Sequence, residues 1–261
     1  MSDLQEHHHH DCFQYTALGN SIAAGIGASF VVDPPKRYGY VYYFRDFLAT
    51  IFPCVNLTNR ATPAFTSTLL LQQLQTDAVT REAVKKADLI TISSGGADLF
   101  NCLLHPTPNC LPNAVATFAQ NWPLIMKEIR KSIRSHAEIF VMTVYNPFKG
   151  NDPNFNTAEL FIQQINNVIK TNRFKFHYKV VDVHADFLGQ FTNTTQWKVC
   201  TWTHFCEVPP DVHPTDAGHL EIACLHELKF LKNHPDKLCL VDDDDQCNDE
   251  SNNEFCDESS D

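Results

Sequence analysis

The chain has 261 residues, of which 43% are hydrophobic and 20% charged, and a formal net charge of −11. That length and apolar content support one large domain with a substantial core and exclude a wholly disordered chain. The negative balance argues against nucleic acid or an anionic membrane as the main partner. The charge is unevenly placed. Residues 241–261 hold ten Asp/Glu and no Lys or Arg, so the rest of the chain is nearly neutral. No apolar run reaches the roughly 18 residues of a membrane span. Three regions follow: an N-terminal arm over residues 1–11, read as disordered, one folded domain over 12–240, and an acidic disordered tail over 241–261. The run His7 to His10 is read as a solvated arm or a weak metal-binding tract.

In chain order, Phe13 to Gly19 is short, apolar and ends in glycine, which predicts a buried strand and a turn. Asn20, Ser21 and the small residues Ile22 to Gly27 then start a helix or tight loop. Tyr38 to Phe52 carries aromatic and aliphatic residues at helical spacing. Val55 to Thr58 reads as a short strand, and Thr66 to Gln75 as a helix with Ser67 as its cap. Ala87 to Ser93 is a buried strand running into Gly95-Gly96. Ala114 to Arg134 is a long helix, and Glu138 to Tyr145 a strand stopped by Asn146-Pro147. A helix over Thr157 to Thr171, a strand over Tyr178 to Val183 and a last helix over Thr215 to Lys232, capped by Thr215, complete the domain.

Strands thus alternate with helices, and most strands are continuously apolar. This predicts an α/β fold, a three-layer α/β/α sandwich with a mostly parallel five-stranded sheet. In such sheets sites collect beyond the carboxyl ends of the strands. Three such places carry chemically capable residues: Gly19-Asn20-Ser21, Ser94-Gly95-Gly96-Ala97-Asp98 and Asp211-Val212-His213-Pro214. A serine at a strand end can present its hydroxyl beyond the sheet, and a histidine before the last helix can act as its general base. Singly, each is an ordinary turn or cap residue; their shared location makes them a constellation.

Gly19-Asn20-Ser21-Ile22-Ala23-Ala24-Gly25 resembles the first motif of SGNH, or GDSL-type, esterases, GDSxxxG, whose serine is the nucleophile. Asn59 to Ser67 resembles the second motif, whose glycine N–H is an oxyanion donor. Ser94 to Asp98 resembles the third, GGND, whose asparagine is another donor. Asp211 to Thr215 resembles the last, DxxHP. The resemblance runs from about Tyr15 to Leu231. It implies catalytic Ser21, His213 and Asp211, and oxyanion positions Ser21, Ala64 and Ala97.

This chain departs from the pattern at four places. Asn20 replaces the aspartate beside the nucleophile and can keep part of its hydrogen bonding. Ala64 stands at the glycine, where the N–H survives only if the backbone suits a residue with a Cβ. Ala97 stands at the asparagine and has no donor, a loss typically on the order of 10²–10³ in rate. Pro210 occupies the usual acid position three residues before His213; Asp211, two before it, or a main-chain carbonyl must orient the ring instead. Ser93 or Ser94 could supply a substitute hydroxyl. His219 and His226, seven apart on the last helix, read as helix residues rather than metal ligands. His204, between Cys200 and Cys206 and near Trp197 and Trp202, lies in a loop that packs at the rim or shapes a groove.

The ten cysteines contain no CxxC pair of the kind zinc prefers. Cys102/Cys110, Cys200/Cys206 and Cys247/Cys256 are locally spaced, which suits disulfides in an oxidising compartment. Asn56-Leu57-Thr58 and Asn193-Thr194-Thr195 are glycosylation sequons. The expectation is a secreted monomer that hydrolyses a small-molecule or lipid ester through an acyl-enzyme. It would have no metal or organic cofactor, no nucleic-acid partner and no integral membrane segment, and its tail could contact a cationic partner. The alternative is a secreted binding protein with the same fold and a degenerate site.

Overall fold

A computed structural model of the chain describes residues 12–32, 36–104 and 107–240. The expected arm over 1–11, the acidic tail over 241–261 and the Cys247/Cys256 pair lie outside them. Strands β1 (Phe13–Gly19), β4 (Val55–Asn59), β5 (Leu89–Ser93), β6 (Glu138–Met142) and β7 (Lys179–Val181) form one sheet in the order β4-β1-β5-β6-β7. Every pairing is parallel, with Tyr15 opposite Leu57, Leu18 opposite Ile92, and Val141 opposite both Ile92 and Val180. Short strands β2 (Phe30–Val31) and β3 (Lys36–Arg37) make a separate antiparallel pair.

The period of two along the strands sorts their side chains onto two faces. Leu18, Ile90, Ile92, Ile139 and Val141 face helices α2 (Ser67–Thr76), α5 (Cys110–Lys127) and α6 (Phe155–Phe176), packing against Leu70, Phe118, Trp122 and Ile165. Tyr15, Ala17, Leu89 and Phe140 face α1 (Tyr40–Ile51) and α9 (Asp216–Asn233), packing against Tyr40, Phe44 and Phe230. Trp122 and Phe44 are fully buried, and truncating either to alanine would cost about 3–5 kcal/mol. The three-layer parallel sandwich expected from the sequence is the fold observed. Among the described residues no helix is long and apolar enough to cross a membrane.

Several element boundaries differ from expectation. Of the two forms expected for residues 21–27, a helix or a tight loop, the chain takes the second: a run of turns. Thr66, not Ser67, caps α2: its side chain accepts from Leu69 N, while Ser67 is the first helical residue. Helix α5 starts at Cys110, four residues before Ala114, because Pro112 is tolerated in a first helical turn. Past α5 the chain closes a π-helical turn over Glu128–Ser132. Helix α6 runs past both expected ends. Helices α3 (Ala78–Lys86), α4 (Gly96–Leu104), α7 (Val183–Phe187) and α8 (Lys198–Trp202) are additions to the sequence reading. Thr215 does cap α9, accepting from Gly218 N at 3.2 Å.

Candidate active site

The site sits at the carboxyl ends of β1, β4 and β5, where the loop before α9 folds back over the sheet. The turn after β1 depends on Gly19, whose φ is +129°; a Cβ there would lie 2.0 Å from Ser93 O. No other residue fits so close to β5, so the chain turns sharply and Ser21 stands at the sheet end. Gly27, at φ +94°, lets the same turn lie against the last loop, since a Cβ would meet Pro214 O at 2.2 Å and His213 Cβ at 3.0 Å.

Across that contact His213 Nε2 lies 2.9 Å from Ser21 Oγ, and His213 Nδ1 lies 2.6 Å from Asp211 Oδ1. The same carboxylate oxygen accepts from His213 N at 3.2 Å. Asp211 therefore bonds two residues ahead in an Asx-turn, which explains how it reaches the ring despite its displaced position. A carboxylate only accepts, so the neutral ring carries its proton on Nδ1 and leaves Nε2 to accept from the serine. The histidine side chain is 19% exposed and the aspartate 48%. Tyr145 Oη donates to Val212 O at 2.7 Å, and His204 N to His213 O at 3.0 Å, so the loop is held on both sides of its histidine.

The structure brings Ser21, Ala64 and Ala97 to one cavity that His213 also lines. Among the hydrogen bonds of the described residues, none uses the Ser21 or Ala64 N–H. Ala64 has φ +63°, the left-handed region that favours glycine. Ala97, in the first turn of α4, presents only a methyl group. Asn20 Oδ1 accepts from Ile22 N and Ser93 Oγ, each at 3.1 Å, so it bolts the turn that carries Ser21 to β5. Asp98, buried at the start of α4, accepts from Ser67 Oγ at 2.6 Å and Ser67 N at 2.9 Å. Burial pushes its carboxyl up to about 6, against those hydrogen bonds. This contact ties α4 to α2 and so fixes Ala97, within α4, relative to the loop that carries Ala64.

The cavity has a volume of about 370 Å³, within the range of small-molecule sites. It extends from Ser21 between α4, α5 and α6, along Leu99, Phe100, Leu111, Val144 and Phe161, and its lining is mainly apolar. The Cys102–Cys110 disulfide joins the two helices beside this wall.

The other histidines singled out in the sequence, His204, His219 and His226, act as structural clips. His219 Nδ1 accepts from Tyr40 N at 3.2 Å and its Nε2 donates to Ile26 O at 3.0 Å. His226 Nδ1 donates to Ile222 O at 2.7 Å. Burial pulls both rings down to about 4. His204 Nε2 donates to Gly27 O at 3.0 Å, securing the turn over residues 21–27 to the disulfide loop Cys200–Cys206. Trp202 packs on Phe187 and Phe191, and neither it nor Trp197 lines the cavity. Among the described residues no group of three or more His, Cys, Asp or Glu could hold a metal ion. Reading the sequence missed Tyr145 and the Asp98–Ser67 contact; neither spacing nor local pattern marks a contact between such distant segments.

Residues 17–220 match the family described as GDSL-like Lipase/Acylhydrolase. The spore germination lipase LipC of Bacillus licheniformis is 28% identical over 190 residues, covering 68% of this chain and 82% of the relative. The lipase Lip_vut3 from a goat rumen metagenome superposes with a TM-score of 0.65 at 25% identity, covering 84% of this chain and 96% of its own. The acetylxylan esterase Axe2 of Geobacillus stearothermophilus shares the fold, with a TM-score of 0.56 at 18% identity over 84% of this chain and 92% of its own. With its motifs on successive loops at one end of a parallel sheet, this chain belongs to the GDSL-like lipase/acylhydrolase family.

Proposed function

We propose that this protein is a serine esterase acting on carboxylic esters with an apolar acyl chain. The observation that carries the reading is the continuous hydrogen-bonded path from Ser21 Oγ through His213 to Asp211, at 2.9 and 2.6 Å. Ser21 Oγ attacks the ester carbonyl carbon as His213 Nε2 takes the hydroxyl proton, and the carbonyl electron pair moves onto oxygen. Asp211 stabilises the imidazolium. The Ser21 and Ala64 N–H groups receive the oxyanion. Collapse of the intermediate breaks the bond to the alcohol oxygen, which leaves with the proton from Nε2. Water then adds to the acyl-enzyme by the same sequence, releasing the acid and restoring Ser21. An acetyl group would leave most of the 370 Å³ cavity empty, so its apolar lining favours a longer chain.

The test compares p-nitrophenyl acetate and octanoate hydrolysis by wild type and Ser21→Ala. Octanoate should be preferred in kcat/KM, and the substitution should lower kcat on the order of 10⁴-fold or more. Equal rates for the two proteins would overturn the reading and favour a binding protein that keeps the cavity, the second reading that the missing donor at Ala97 supports. We further propose that the protein is secreted, on the strength of its disulfides Cys12–Cys54, Cys102–Cys110 and Cys200–Cys206. Alkylation of all ten cysteines without reductant in freshly isolated protein would refute this.

A further inference from the structure

We infer that the Ser94 hydroxyl is the third oxyanion donor of this site, standing in for the amide that Ala97 lacks. The inference rests on the esterase reading and extends it to a residue outside the set that the family pattern marks.

Ser94 follows β5 directly and is 3% exposed. Its Oγ is buried and has no hydrogen-bond partner among the described residues, whereas the adjacent Ser93 Oγ is committed to Asn20 Oδ1. The two neighbouring hydroxyls therefore differ: one is structural and the other is unused. A buried hydroxyl left unpaired is costly in a folded protein and calls for a partner; of the residues with such atoms among those described, Ser94 is the one that lines the cavity.

The strand geometry turns Ser94 to the right side. Side chains alternate along β5. Ile90 and Ile92 face α2 and α5, and Leu89 faces α1 and α9. Continuing the alternation puts Ser93 with Leu89 and Ser94 with Ile92. The face of Ile92 is also the face of both other oxyanion positions. Ala64 lies on the loop entering α2, and Ala97 lies in α4, which Asp98 ties to Ser67 of α2. Along the sheet, Asn20 N donates to Ser93 O at 3.1 Å, so Ser94 is level with the turn that presents Ser21. Ser94 lines the cavity shared by Ser21, Ala64 and Ala97. A serine hydroxyl is a single rotor about χ1 and can swing its donor to an arriving oxygen.

During turnover Ser94 keeps its proton. As Ser21 Oγ bonds to the carbonyl carbon, the π pair moves to the carbonyl oxygen, and the Ser94 O–H donates to that oxygen beside the two backbone N–H groups. When the intermediate collapses, the carbonyl re-forms and the hydrogen bond weakens. No bond to Ser94 forms or breaks, and the stabilisation is greatest when the charge is greatest.

The experiment measures kcat, KM and thermal midpoint for wild type, Ser94→Ala, Ser94→Thr, Ala97→Asn and the double variant Ser94→Ala/Ala97→Asn, using p-nitrophenyl octanoate. Ser94→Ala should lower kcat about 10- to 100-fold, at or below the lower end of the range for a lost oxyanion donor because a rotatable hydroxyl is less preorganised, with KM and midpoint nearly unchanged. Ser94→Thr, which keeps the hydroxyl, should stay within about fivefold of wild type. Ala97→Asn should restore at least about tenfold in the Ser94→Ala background and add far less to the wild type, because both then fill one role. Retention of kcat within about threefold in Ser94→Ala, or a loss confined to KM or to the thermal midpoint, would overturn the inference. If Ser21→Ala is inactive while Ser94→Ala is not, this inference alone fails. If Ser21→Ala is as active as wild type, the esterase reading fails and takes this one with it.

Discussion

Ala64 holds the backbone conformation of a glycine, and the consequence can be put in numbers. At φ +63° a Cβ crowds its own carbonyl, which costs an L-residue about 1–2 kcal/mol relative to glycine. Ala64 is exposed at the mouth of the cavity, so its methyl group repays little of that by burial. Ala64→Gly removes the strain and adds about 0.4–1 kcal/mol of unfolded-chain entropy, leaving a net gain of about 0.5–1 kcal/mol. For a chain of this size that is about 1–4 °C in thermal midpoint. The N–H stays where it is, so kcat should change by less than about threefold. Ala64→Val should do the opposite on both counts, since a β-branched residue tolerates this region worst. Differential scanning calorimetry with p-nitrophenyl octanoate kinetics reads both effects. A midpoint for Ala64→Gly that falls below wild type would refute the strain argument, and a large loss of kcat would mean the methyl itself touches substrate.

Asp211→Asn should lower kcat on the order of 10²-fold, less than for a fully buried triad acid because the carboxylate is half in solvent; a change under threefold would show that the ring is oriented by something else. Buried His226 should make the fold acid-sensitive. Its pKa is lowered to about 4, so the stability it contributes is present above about pH 6.5 and is lost as pH falls toward 4. Asp98, raised to about 6, and Glu227, raised to about 7, act in the opposite sense, so the readout must be a difference. Between pH 7 and pH 5 the wild type should lose about 2 kcal/mol more than His226→Leu in urea denaturation, and parallel curves would sink the assignment. Replacing Cys102 and Cys110 together with serine should cost about 2–3 kcal/mol and reduce octanoate turnover more than acetate turnover, because the bridge braces the apolar wall; an unchanged ratio would place chain selectivity elsewhere. Deleting residues 241–261 should leave hydrolysis of neutral esters unchanged, and a large loss of kcat would show that the acidic tail serves the site.

What could be read from the sequence depended on how each feature is encoded. Strands β1, β5 and β6 are continuous apolar runs because helices cover both faces, and such runs are visible in one dimension. Helix α3 was hidden because its buried side includes Thr80 while Val79 is 60% exposed, which blurs the apolar period. Helix α4 begins at Gly96, a residue that ordinarily signals a turn, and is only nine residues long. The site divides in the same way. Ser21 and His213 sit in local motifs, so sequence order was enough to find them. The reach of Asp211 depends on an Asx-turn, the strain at Ala64 on one backbone angle, and the unpaired Ser94 on what fails to approach it. Those are properties of three-dimensional neighbourhoods and leave no mark on residue spacing.

The Asp211–His213 hydrogen bond closes over only two residues, so the acid and the base of the proposed esterase belong to one short piece of chain. Where a carboxylate arrives from a distant strand, any change in the length of intervening loops must be corrected before the base works again. Here the pair travels as a cassette. Residues 188–197, which join α7 to α8, can change in length without altering the relation of Asp211 to His213, provided that the Tyr145 and His204 contacts still seat the cassette beside Ser21. Evolution or an engineer can therefore reshape that margin of the molecule while leaving its proton-transfer unit intact.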